Sequence, residues 1–278
     1  MNKLQKWLSL VALALAVDVQ AFDLGNLQKA LEIGKKAVDA NKEIGEAEEV
    51  EIGAGIASNL LGAAPLVKDA ELQRYVNRIG TWLASQTERS GLKWHFAVID
   101  SPNINAFAMP GGYIFITKGL FDRLRNESEL AGVLAHEISH TLQKHHLKAI
   151  QGGMGREALG DLAQAVADKK GSRDSQLLSK AFKAGTELYA RGLDKGDEFE
   201  ADRMGVVIAA RGGYSPYGLV GVLQTLGEIP TDGAFALMFK THPTPSARLD
   251  ELGAAMGDRF DGLEKTVDDV PRFAKMKH

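Results

Sequence analysis

His136, Glu137 and His140 form a His-Glu-x-x-His pentad, completed by Ile138 and Ser139. On a helix, residues four apart stack on one face, so both imidazoles can grip a single metal ion. Glu137 turns toward the same side, beside the metal rather than on it. A carboxylate there can take a proton from a metal-bound water, and the chemistry implied is hydrolysis by zinc-activated water. The surroundings read as helix. Gly132, Val133, Leu134 and Ala135 precede the pentad, and Ile138 and Leu142 interleave with it. Asn126 can cap the helix start, with Glu129 three residues on as a capping-box partner. In a mostly buried helix His and Glu are costly unless paired or metal-bound. The pentad is therefore read as a metal site, not as charges on a solvated face.

Catalytic zinc takes three protein ligands and leaves a position for water. The third can come from Glu198-Phe199-Glu200-Ala201-Asp202, which opens an apolar helix with Met204, Val206, Val207 and Ile208. Glu198 and Asp202 share a face, whereas Glu200 points elsewhere. Glu198 can ligate the zinc while Asp202 bonds the far nitrogen of a ligand histidine and fixes its tautomer. In Thr241-His242-Pro243-Thr244-Pro245 two prolines stiffen a loop that presents His242. His242 can stabilise the oxyanion of a tetrahedral intermediate, or occupy the open zinc position; a surface histidine in a turn is the plain alternative. His145 and His146 are read as solvated helix-end residues near a C-terminal dipole, not as ligands.

These motifs, in this order, resemble the HtpX / CAAX-prenyl-protease family of zinc metallopeptidases. The segment Asn105-Ala-Phe-Ala-Met-Pro-Gly-Gly-Tyr-Ile-Phe-Ile-Thr117 agrees with it, and the resemblance runs from Glu48 to Leu252. It implies a gluzincin fold, α+β and mostly helical, with a small antiparallel sheet beside the zinc-binding helix. It implies one Zn2+ per chain on His136, His140 and Glu198, with Glu137 as general base. Asp202 would orient a ligand, and His242 would act as regulator or transition-state residue. It also places the 105–117 hairpin at the active-site edge. There Asn105, Ala106, Phe107 and Ala108 would offer an edge strand to an extended peptide. The chain is most similar to the soluble periplasmic branch, the BepA- and LoiP-like proteases. That branch implies unfolded or misfolded envelope proteins as substrates and outer-membrane assembly machinery as a partner. The chain departs from it in lacking a helical-repeat tail and a cysteine for a lipid anchor.

Of 278 residues, 45% are hydrophobic and 25% charged, which suits one globular catalytic domain. A formal net charge of −3 without a long basic cluster argues against nucleic-acid binding. Zero cysteines exclude disulfides and thiolate zinc sites. Lys3 and Lys6, the apolar run from Trp7 to Val17, and Val19-Gln20-Ala21 read as a signal peptide over 1–21, with Phe22 beginning the mature chain. The run is too short to span a bilayer, so a periplasmic protein without an integral span after signal removal is expected. Leu24, Leu27, Leu31 and Val38 mark an amphipathic helix over 22–47. The peptidase domain is expected over 48–260 and a polar tail over 261–278. Ile52 to Val67 reads as a buried helix, and a further helix is expected over 70–87. Alternation over 94–100 reads as a strand, and 105–109 and 113–117 as strands around Pro110-Gly111-Gly112. The segment between the zinc motifs reads as helices broken at Gly152-Gly153 and near Gly171-Ser172. The expectation is a periplasmic zinc endopeptidase acting on misassembled envelope proteins. The alternative is a chaperone-like assembly factor whose zinc site is gated by the His242 loop. A purely structural metal domain would have no use for Glu137.

Overall fold

The computed structural model describes residues 44–153, 192–228, 242–263 and 270–277. The signal peptide, most of the 22–47 helix and the helices expected over 154–191 lie outside them.

Helix α1 (Glu46–Ala63) opens with Glu46, Glu48 and Glu49, whose charges favour the helix N-terminus. It buries Ile52, Gly53, Ile56 and Ala57 at helical spacing. Helix α2 (Ala70–Ser85) starts where Asp69 accepts hydrogen bonds from the Glu71 and Leu72 amides. Its buried face carries Leu72, Tyr75, Val76, Ile79 and Leu83.

Three short strands follow: β1 (His95–Ile99), β2 (Ala106–Met109) and β3 (Tyr113–Thr117). Their order is β1-β3-β2. The β2–β3 hairpin is antiparallel, as its turn dictates, with Phe107 opposite Phe115. Strand β1 pairs with β3 in parallel. The sheet is therefore mixed rather than wholly antiparallel. The chain reverses over 100–105 and again at Pro110–Gly112, so β3 runs in the direction of β1 when it fills the centre. The turn needs positive φ at Gly111 (75°) and Gly112 (89°). A Cβ at Gly111 would also lie 2.4 Å from the Val50 Cα, so α1 seats directly on the turn. The outer edge of β1 is covered, since the Val67 amide donates to the Val98 carbonyl at 3.0 Å. Among the described residues, strand β2 is the sheet's other edge.

After the single turn α3 (Lys118–Phe121), helix α4 (Glu127–Leu142) forms the centre of the fold, buried continuously from Glu127 to Thr141. Asn126 caps it by accepting from the Glu129 amide at 2.8 Å. The Glu129 carboxylate reaches back to the Arg125 amide at 2.6 Å, closing the box one residue earlier than the standard pattern. Helices α5 (His145–Gly153), α6 (Lys195–Arg211), α7 (Gly218–Gly227) and α8 (Pro245–Met256) follow, and α4 packs against α2, α6 and α7.

A last short helix, α9 (Val270–Ala274), falls in the stretch expected as a polar tail. Phe273 there is fully buried, 5.2 Å from Phe121 and 6.4 Å from Tyr75, measured between rings. Arg272 pairs with buried Glu127, which also accepts from Tyr75 Oη at 2.6 Å and Tyr214 Oη at 3.1 Å. This part of the tail belongs to the core, because Phe273 fills a pocket there and Met276 packs beside it. Among the described residues no helix is long and apolar enough to cross a membrane.

Candidate metal centre

Helix α4 delivers His136, Glu137 and His140 from its buried face, and α6 delivers Glu198 from its first turns. The two imidazole Nε2 atoms lie 3.0 Å apart. Glu198 Oε1 is 3.5 Å from His140 Nε2, and Oε2 is 3.7 Å from His136 Nε2. One donor atom from each of the three residues lies within 4.8 Å of the others, so the trio can hold one ion. Among the described residues Glu198 Oε1 is buried without a hydrogen-bond partner, a costly state for a carboxylate oxygen unless a cation faces it. Two imidazoles and a carboxylate converging on one point suit zinc.

Glu198, Asp202 and Gly205 recur at four- and three-residue spacing on the face of α6 turned to α4. Gly205 permits the approach, since a Cβ there would sit 3.0 Å from the His136 amide nitrogen. Asp202 Oδ1 accepts from His136 Nδ1 at 2.9 Å, leaving the Nε2 lone pair for a metal. Arg248 on α8 grips Asp202 from the other side, with Nε donating at 2.8 Å and Nη2 at 2.5 Å. Burial opposes ionisation of Asp202, but the Arg248 charge wins and holds its carboxyl far below the usual range. Arg248 Nη2 is also 3.3 Å from His136 Nδ1. Both atoms are donors once His136 serves Asp202, so this is a contact rather than a bond.

His242 stands immediately before α8 and places its Nδ1 2.6 Å from Glu198 Oε2. Burial lowers its proton affinity, but the Glu198 carboxylate outweighs that and raises it. For Glu198 burial also opposes the charged form, yet His242, His136 and Arg248 together hold its carboxyl low. Glu137 behaves oppositely, since burial dominates and pushes its carboxyl up. It is placed as a base in a dry site must be. Burial likewise drives His140 well below the ordinary histidine range, leaving it neutral and fit to ligate.

Beside these residues runs a cleft partly open to solvent. Leu120, Val133, Leu219 and Val222 contribute to its apolar wall, and His136, Glu137, His242 and Arg248 supply its polar lining. Asn105 and Ala106 also line it. Phe107 and Ala108 do not, since β2 carries them away to pack in the two core clusters. The structure thus gathers all six motif residues, His136, Glu137, His140, Glu198, Asp202 and His242, with the first half of the expected edge strand.

Sequence reasoning missed two residues. Arg248 shares the buried face of α8 with Leu252 and Met256, and an arginine on an apolar stripe was the available signal. His145 is corrected outright. It is buried at 1% exposure, and its Nδ1 lies 3.0 Å from His140 Nδ1. Lys144, at a left-handed φ of 56°, breaks the helix after α4 and turns His145 underneath His140 instead of into water. His146 is half-buried, with its ring 5.2 Å from that of His140.

The sequence model of peptidase family M48 matches residues 70–256. The chain is 32% identical over 209 residues to the beta-barrel assembly-enhancing protease of Escherichia coli K12, covering 73% of this chain and 42% of that protein. It is 28% identical over 179 residues to the mitochondrial metalloendopeptidase OMA1 of Schizosaccharomyces pombe, covering 64% and 51%. To the metalloprotease YcaL of Escherichia coli K12 it is 30% identical over 164 residues, covering 59% and 62%. The chain thus spans less than half the length of the beta-barrel assembly-enhancing proteases it matches.

Proposed function

The chain belongs to peptidase family M48, and on that footing we propose that it is a periplasmic zinc endopeptidase cleaving unfolded or misassembled envelope proteins. The observation that carries the reading is the orphaned Glu198 oxygen facing two imidazoles, with Glu137 buried beside them at the cleft. A zinc ion held by His136, His140 and Glu198 would supply Lewis acidity toward the scissile carbonyl and the attacking water. Glu137 takes the water proton and delivers it to the leaving amine, and its raised proton affinity suits both transfers. Asp202, backed by Arg248, keeps His136 in the ligating tautomer. His242 braces Glu198 and stands ready to donate to the oxyanion. The backbone near Asn105 and Ala106 pairs with an extended substrate, and the apolar wall receives one of its apolar side chains. Such a site demands an extended chain with an exposed apolar residue, as an unfolded protein offers. The signal-like residues 1–21 support the periplasm, and the name of the beta-barrel assembly-enhancing proteases supports outer-membrane assembly machinery as the partner.

A second reading is favoured by the 2.6 Å contact of His242 with Glu198. A histidine leaning on the third ligand can gate the site, and the protein then acts chiefly as an assembly factor.

The test is casein degradation by the mature protein from Phe22, with chelator, zinc add-back and Glu137→Gln. Chelator-sensitive cleavage that disappears in Glu137→Gln with zinc retained supports the protease. Absence of cleavage at stoichiometric zinc counts against it and supports gating. His242→Ala then separates the roles: faster cleavage means a gate, and lost cleavage with zinc retained means a catalytic donor.

A further inference from the structure

We propose that the chain carries a second divalent-cation site, made by His145, Asp197 and Glu200, and that an ion there competes with the one in the catalytic centre. The inference goes beyond the protease reading but rests on it in one respect, that His140 is a ligand of the catalytic metal.

The outer trio has a built geometry. His145 Nε2 lies 3.5 Å from Asp197 Oδ1 and 3.6 Å from Glu200 Oε2. These separations exceed the roughly 2.7–3.2 Å of a good N–H···O bond. They match the 3.5 and 3.7 Å edges between histidine and carboxylate in the catalytic trio. Ligands about 2.1 Å from a tetrahedral ion are separated by about 3.4 Å. The outer donors are thus spaced to admit an ion between them. As in the catalytic trio, one donor atom from each residue lies within 4.8 Å of the others. His145 is fully sequestered, while the two carboxylates are only partly covered, so an ion can enter from solvent. One imidazole and two carboxylates suit a borderline divalent cation such as Zn2+. Lys148, whose charge opposes a cation here, is exposed and outnumbered by the two carboxylates.

Competition follows from counting protons. His140 Nδ1 and His145 Nδ1 are 3.0 Å apart, which leaves room for one hydrogen between them. A neutral imidazole carries one N–H, and ligation through Nε2 puts it on Nδ1. With the outer site empty, His140 Nδ1–H donates to His145 Nδ1. His145 then holds its own hydrogen on Nε2, toward Asp197 and Glu200, and orients His140 much as Asp202 orients His136. An ion on His145 Nε2 moves that hydrogen to Nδ1, where it points at His140. His140 must then accept it, and its own hydrogen moves to Nε2, the atom the catalytic ion needs. Filling both sites forces two N–H groups against each other. The coupling is negative, about tenfold in affinity, within the range usual for linked sites.

The experiment titrates chelator-stripped mature protein with ZnCl2, counting bound ions by equilibrium dialysis and following casein cleavage in parallel. Asp197→Asn/Glu200→Gln and Glu198→Gln are the comparison variants. The expected result is two ions in wild type, the outer one bound about tenfold more weakly than in Glu198→Gln, where the centre is empty. Asp197→Asn/Glu200→Gln binds one ion, in the centre, and Glu198→Gln keeps the outer ion. A wild type that stops at one ion overturns the proposal. So does a second ion that survives Asp197→Asn/Glu200→Gln, or an outer ion held equally tightly in wild type and Glu198→Gln. Failure of the catalytic-centre reading looks different, because Glu198→Gln would then leave the count unchanged.

Discussion

Arg248→Met tests the argument that a buried ion pair holds the metal centre in register. Asp202, at 1% exposure, accepts two hydrogen bonds from Arg248, at 2.8 and 2.5 Å, and one from His136 at 2.9 Å. The substitution keeps the aliphatic stem and removes both guanidinium bonds, leaving a buried carboxylate with His136 as its one donor. Breaking one half of a buried pair costs about 3–5 kcal/mol, a large share of the roughly 5–15 kcal/mol that stabilises a typical domain. Asp202→Asn strands the buried guanidinium instead and costs a similar amount. The double variant removes both charges while keeping the volumes, so it is less destabilised than the sum by at least about 2 kcal/mol. Urea unfolding of metal-free protein measures this, with tryptophan fluorescence and far-UV circular dichroism required to coincide. Zinc affinity is the second readout. Loosening the partner of His136 Nδ1 should weaken zinc by about 10- to 100-fold. The reasoning is refuted if Arg248→Met costs under about 1 kcal/mol and leaves zinc affinity unchanged, or if the two single costs simply add.

Phe273→Ala should cost about 3–5 kcal/mol in the same urea assay, since it empties a core position between Phe121 and Tyr75; a loss under about 1 kcal/mol would return α9 to the status of a polar tail. Gly205→Ala should cost about 1–3 kcal/mol and lower zinc affinity, because its methyl group meets the His136 backbone at 3.0 Å; unchanged calorimetric zinc binding would count against close α4–α6 contact. Acid should destabilise the metal-free protein. Asp202 and Glu198 are held below their ordinary range, so the folded chain binds fewer protons than the unfolded one. The stabilisation is present above about pH 4 and is lost as pH falls toward the folded values; a melting temperature flat from about pH 5 to 3 would contradict this.

The residues of the candidate centre were legible because they follow from local periodicity. Four-residue spacing on a helix fixes a face, and it did so for His136 and His140 and again for Glu198 and Asp202. Asn126 announced the start of α4 through cap chemistry that needs no tertiary partner. What stayed hidden depends on where distant segments meet. The direction of β1 relative to β3 is decided by two chain reversals, not by alternation within either strand. Phe273 is the one aromatic residue of 261–278, and its partners Phe121 and Tyr75 lie far away in the sequence. His145 looked solvated because helix ends usually are, and the left-handed Lys144 that buries it leaves little trace in sequence. The two histidines of the candidate centre make the division sharpest. The pentad specifies which atoms can bind a metal, but a histidine binds through Nε2 only while Nδ1 holds the proton. That proton is directed by atoms outside the pentad, Asp202 Oδ1 for His136 and His145 Nδ1 for His140. The motif therefore supplies the candidate ligands, and the packing of α6, α8 and α5 around α4 decides whether both histidines can face one ion at once.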